Sequence, residues 1–137
     1  MDRLFLDANI LYAAAYKRES ALRRFWEIQD VELVSSAYAV EEARRNLRED
    51  RPAKVPDLEE LVARLRIHPG PPNAQAFPKA LALVIKDRPI LWAAIETHAT
   101  HLITCDRRHF GPYFGRRIGG VLILLASDYP CSRPPCP

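Results

Sequence analysis

Arg3-Leu4-Phe5-Leu6-Asp7-Ala8-Asn9-Ile10-Leu11 is the stretch from which the fold of this chain is read. Leu4 to Leu6 form a short apolar run that stops on an aspartate, and residues 10–16, rich in alanine and leucine, then read as a helix. A strand that feeds a helix recurs outward from this point. Residues 31–35 are a β-branched and apolar strand candidate, and Ser35 or Ser36 caps a helix over 37–48 whose face carries Ala39, Val40, Ala43 and Leu47. Residues 101–105 and 120–125 are further strands. Strands alternating with helices imply crossover units and a parallel sheet. The expected class is α/β, a three-layer α/β/α fold with a parallel sheet of about five strands and helices on both faces.

The remaining segments fit between these. Residues 20–29 read as a helix capped by Ser20, with Leu22, Phe25, Trp26 and Ile28 on its apolar side. Residues 50–56, with two prolines, read as a connector, followed by a helix over 57–65 and a short strand over 66–68 that Pro69-Gly70-Pro71-Pro72 ends. Residues 77–85 are helical in composition, and Pro89 suits the first turn of a helix running to about His98, where its missing N–H does no harm.

The chain of 137 residues is long enough for one core, without an internal repeat. A domain over 1–128 and a Pro-rich tail over 129–137, expected to be disordered, divide it. Its 48% hydrophobic and 27% charged residues are those of an ordinary globular protein, and no run approaches the roughly 18 apolar residues of a membrane helix. Acidic residues arrive too early for a signal peptide, so a cytoplasmic location is expected. Three cysteines, an odd number, exclude a disulfide framework, and Cys131 with Cys136 is a weak zinc signal. The net charge of +3 is a mild basic bias in which arginine dominates, suiting phosphate contact and equally a GC-rich genome.

In an open parallel sheet, ligands bind outside the carboxyl ends of the strands. That rule sorts the 17 acidic residues. Asp7 ends the first strand and Asp106 the fourth; Glu42 lies on the helix after the second strand, and Asp87 precedes the helix leading into the fourth. If the first and fourth strands are neighbours, all four reach one pocket. Carboxylates crowded in a cleft raise one another's pKa unless a cation neutralises them, and hard oxygen donors suit magnesium or manganese. Each acid also has a plain structural reading. Asp7 and Asp87 can cap the helices after them, Glu42 can be a solvated helix residue, and Asp106 a turn residue.

Four motifs bring a known family into view. Phe5-Leu6-Asp7-Ala8-Asn9-Ile10-Leu11 resembles the opening of the PIN-domain family, Val40-Glu41-Glu42-Ala43-Arg44-Arg45-Asn46-Leu47 its second motif, and Asp87-Arg88-Pro89-Ile90-Leu91-Trp92-Ala93-Ala94 its third. Leu102-Ile103-Thr104-Cys105-Asp106-Arg107-Arg108-His109-Phe110 is similar to the fourth. The resemblance covers nearly the whole chain in order. It implies a metal-dependent endoribonuclease, as in the VapC-type toxins of toxin–antitoxin pairs, with Asp7, Glu42, Asp87 and Asp106 holding one or two Mg2+ or Mn2+ ions. Asn9 and Thr104 would shape the pocket by hydrogen bonds. Glu42 is chosen over Glu41 because Leu47 then stands at the motif's spacing, and Glu41 remains the alternative. An antitoxin partner and a homodimer are further implications.

Two departures stand out. Cys105 occupies the usual glycine position before the last aspartate, where it is expected to crowd the backbone. Arg107, Arg108 and His109 stand where a further acid often follows, which puts a second metal in question. The expected chemistry is hydrolysis of an RNA phosphodiester by a metal-activated water, with Arg44, Arg45, Arg107 and Arg108 contacting phosphate. The rival from another class is a PIN module that binds RNA or protein without nuclease activity. An aspartyl-nucleophile phosphatase needs a second aspartate two places after the first, where Asn9 stands.

Overall fold

The computed structural model describes residues 1–69 and 87–130. The expected helix over 77–85, most of the 69–72 break, and the tail cysteines Cys131 and Cys136 lie outside the described residues. The core strand is β1 (Asp2–Leu6), with Leu4, Phe5 and Leu6 fully buried. Burial on both faces explains why it reads as an unbroken apolar run and not as an alternation. β2 (Val31–Ser36) and β4 (His101–Thr104) flank β1 in parallel, setting Phe5 opposite Val34 on one side and Leu102 on the other.

Among the described residues six strands form the sheet, in the order β3-β2-β1-β4-β6-β5, with β3 at Arg66–His68, β5 at Arg117–Ile118 and β6 at Val121–Leu125. The chain builds outward from β1 through β2 to β3, then crosses back to place β4 on the other side of β1. This reversal opens a crevice at the carboxyl ends of β1 and β4. Helices α1 (Ala8–Tyr16), α2 (Ala37–Asp50), α3 (Val55–Val62) and α4 (Arg88–Glu96) complete the layers.

Where expectation and structure differ, local chemistry accounts for it. The additional strand is β5, which runs antiparallel to β6 through Gly119-Gly120; both glycines take positive φ (58° and 86°), as a two-residue hairpin turn requires. Two residues are too few to show a strand pattern in the sequence. The stretch expected as a helix over 20–29 is a tighter 3-10 helix, Ala21–Glu27, capped by the Ser20 hydroxyl on the Leu22 N–H. In that winding the neighbours Phe25 and Trp26 are both buried, and Trp26 Nε1 donates to the Leu61 carbonyl at 3.1 Å. The expected connector 50–56 instead winds through a 3-10 turn, Pro52–Lys54, straight into α3, with Pro56 in the first helical turn.

Of the two candidate caps for α2, Ser36 accepts from the Ala39 N–H at 3.1 Å, whereas Ser35 donates to the Leu6 carbonyl at 2.8 Å. Arg44 forks onto Glu59 (2.6 and 2.9 Å) and ties α2 to α3. Tyr129, which the sequence places in the tail, is buried: it packs on Phe25 and His101 and donates its hydroxyl to Asp2 at 2.6 Å. No helix among the described residues is long and apolar enough to cross a membrane.

Candidate metal centre

β1 and β4 end side by side, so the residues following them are in contact. The Asp7 N–H donates to the Ile103 carbonyl at 3.0 Å, and Thr104 then lies alongside Asp7. The buried Thr104 hydroxyl is a hub: it donates to Asp7 Oδ2 at 2.8 Å and accepts from the Asp106 N–H at 3.0 Å and Asn9 Nδ2 at 3.2 Å. Asn9 also donates to Asp7 Oδ2 (3.2 Å), and its Oδ1 accepts from the Cys105 N–H at 3.0 Å. These bonds lock the ends of β1 and β4 together beneath the crevice. Cys105 is exposed, and its φ is not among the positive ones, so no glycine is required there.

Asp7 is 4% exposed and caps α1, its Oδ1 accepting from the Ala8 N–H at 2.6 Å. Burial pushes its carboxyl up to about 7, with the charges of Asp87 and Glu42 adding to the rise and the bonds from Thr104 and Ala8 opposing it. Asp7 therefore feels the charges of both Asp87 and Glu42. Capping does not account for Asp87, which stands at the N-cap of α4 without a side-chain bond to the helix. Its side chain faces the loop after β4, where His109 Nδ1 lies 2.8 Å from Asp87 Oδ2 and 3.0 Å from Asp106 Oδ2. Asp106 does make a turn, its Oδ1 accepting from the His109 N–H at 2.9 Å, which leaves Oδ2 toward Asp87 and His109.

Glu41 and Glu42 diverge on α2. Glu41 is exposed and pairs with Arg44 at 2.9 Å and Arg48 at 3.8 Å, whereas the charge of Glu42 reaches Asp7. Arg44 is held by Glu59 and Glu41, so its guanidinium is already committed to carboxylates. Arg45, Arg107 and Arg108 are exposed. Cys105 and Arg107, the chain neighbours of Asp106, line a cleft of about 390 Å³ with Leu22, Arg24, Leu125 and Ala126. A separate cleft of about 660 Å³ opens at the opposite end of the sheet, by Asp2, Asp30 and Val31, away from these acids.

A divalent cation suits this arrangement. A buried carboxyl held up near neutrality by desolvation and neighbouring charge is relieved by a cation, and the donors are mainly oxygens. His109, which the four acids of the motifs do not include, brings a ring nitrogen to the carboxylates of Asp87 and Asp106; its spacing three residues after Asp106 in a turn was the available signal. Thr104→Val keeps the shape but deletes the hub. It is expected to cost about 1–3 kcal/mol in urea denaturation and about tenfold in Mn2+ affinity by calorimetry, with Thr104→Ser retaining most of both.

The family model described as PIN domain matches residues 3–108. No curated protein matches the sequence. Among solved structures, VapBC2 from Rickettsia felis bound to a DNA fragment from their promoter aligns with a TM-score of 0.66 at 16% identity, covering 90% of this chain and 98% of that one. Mycobacterium tuberculosis VapC20, a sarcin-ricin loop cleaving toxin, aligns at 0.59 with 10% identity over 80% and 94%. FitAcB from Neisseria gonorrhoeae aligns at 0.57 with 17% identity over 92% and 99%. At these identities the likeness is one of fold.

Proposed function

We propose a function from one premise: this chain belongs to the PIN-domain family. The reading is a metal-dependent endoribonuclease that hydrolyses RNA phosphodiester bonds, acting as the toxin of a toxin–antitoxin pair. The observation that carries it is the buried Asp7 carboxyl, raised further by the charges of Asp87 and Glu42 and tied through Thr104 to Asp106. RNA as substrate and an antitoxin as partner are supported by the structural likeness to a sarcin-ricin loop cleaving toxin and to the VapBC2 and FitAcB proteins. A homodimer is the proposed assembly.

Asp7, Glu42, Asp87 and Asp106 would hold Mg2+ or Mn2+, which when bound supplies Lewis-acid stabilisation for an attacked phosphodiester and a reactive water. Thr104 and Asn9 fix Asp7 and the Cys105–Asp106 backbone, so the acids are positioned before substrate arrives. Arg107, Arg108 and Arg45 are the proposed phosphate contacts, and binding through them weakens as salt rises. Arg44 is left out because its fork is occupied by Glu59.

The test is cleavage of a structured RNA by purified protein with Mg2+ or Mn2+, abolished by chelator and restored by either ion. Glu42→Gln should lower the rate about 100-fold or more, while Glu41→Gln should stay within about threefold because its pairs are exposed. The reverse order would move the ligand to Glu41. Tight manganese binding with no RNA cleaved under any condition would leave a binding module in place of a nuclease.

A further inference from the structure

We infer, on the strength of the metal site proposed above, that His109 is a nitrogen ligand at that site and biases it toward manganese over magnesium. Three donor atoms of Asp87, Asp106 and His109 lie within 4.8 Å of one another. His109 Nδ1 is 2.8 Å from Asp87 Oδ2 and 3.0 Å from Asp106 Oδ2. These spacings are those of neighbouring ligands around a six-coordinate ion, since donors about 2.1 Å from a metal and at right angles are about 3 Å apart. Nδ1 is buried, yet neither contact has the alignment of a hydrogen bond. The ring nitrogen thus faces two carboxylate oxygens without a proton-sharing geometry toward either.

The backbone prepares this placement. The His109 N–H bonds to Asp106 Oδ1 at 2.9 Å, and the Phe110 N–H bonds to the Asp106 carbonyl at 3.2 Å, closing a turn that presents Asp106 Oδ2 and the imidazole together. Fully buried Phe110 anchors the turn from below. Of the four histidines this one alone has two carboxylates within salt-bridge distance among the described residues. An all-oxygen site favours magnesium, which sheds water reluctantly and prefers hard donors; one imidazole shifts the balance toward the first-row transition ions.

Pulsed EPR on the Mn2+-loaded full chain decides the ligation without any variant. The expected result is ¹⁴N modulation from a directly bound imidazole, lost in His109→Ala. By calorimetry His109→Ala should lose about tenfold or more in Mn2+ affinity and no more than about threefold in Mg2+ affinity. His109→Asp should recover Mg2+ binding while narrowing the preference for manganese. Bound manganese without nitrogen coupling, or equal losses for both ions in His109→Ala, overturns the inference and leaves the carboxylate site standing. Wild-type protein that binds neither ion overturns both.

Discussion

With Asp7 replaced by asparagine, the metal-free protein is expected to melt higher than wild type at pH 8 while the proposed metal-dependent cleavage falls about 1000-fold or more. The sign follows from burial. Desolvation raises the folded-state carboxyl from an ordinary 3.8 to about 7, whereas the unfolded chain keeps the ordinary value. A carboxyl raised by folding contributes stability that is fully present below about pH 4 and is lost as pH climbs through about 7. Roughly three pH units correspond to about 4 kcal/mol at most. The asparagine is neutral throughout and can still accept from the Ala8 N–H, although its amide nitrogen meets the Asn9 donor, so the stability difference should move in its favour by up to that amount between pH 4 and pH 8. Saturating Mn2+ should close most of that gap at pH 8, because ligand at about 100 times its dissociation constant stabilises only the binder, by about 2.7 kcal/mol. Thermal melts at two pH values, with and without Mn2+, check all four corners. A variant less stable than wild type at pH 8 would show that Asp7 is retained for the fold.

Phe110→Ala is expected to destabilise the protein by about 3–5 kcal/mol in denaturant titration, the range for deleting a buried aromatic ring. Phe110 is fully buried beneath the turn that carries Asp106 and His109, and its carbonyl receives the Tyr113 N–H at 2.8 Å. The cavity would let that turn shift, so Mn2+ affinity should drop with stability, by tenfold or more. Phe110→Leu fills most of the volume and should cost about 1–2 kcal/mol with metal binding largely kept. Unaltered Mn2+ affinity in a destabilised but folded Phe110→Ala protein would mean that the turn holds its shape without the anchor.

The central architecture was legible because its signals are local. Leu4-Phe5-Leu6 has the unbroken apolar character of a strand buried on both faces, and an aspartate at its end falls where a parallel sheet opens. The amphipathic stretch after Ser35 and Ser36 marked where α2 begins, and of the two serines the structure makes Ser36 the cap. Less was legible where geometry depends on distant partners. The 3-10 winding of 21–27 goes with Trp26 reaching the Leu61 carbonyl, 35 residues away, a contact that no local pattern announces. The divergence of Glu41 from Glu42 depends on Arg44, which Glu59 of another helix holds in place. The approach of Asp87 to Asp106 and His109 is a tertiary contact that motif order alone does not reveal.

The β5–β6 hairpin has a consequence for how copies of this protein meet at high concentration. An outer strand of only two residues offers an incoming chain almost no ladder to extend. Arg116 and Arg117 are exposed beside it, so a stacked copy would bring like charges into register along that flank. On that side the sheet is sealed against strand-by-strand accretion into fibrils, and its length is set within the single chain.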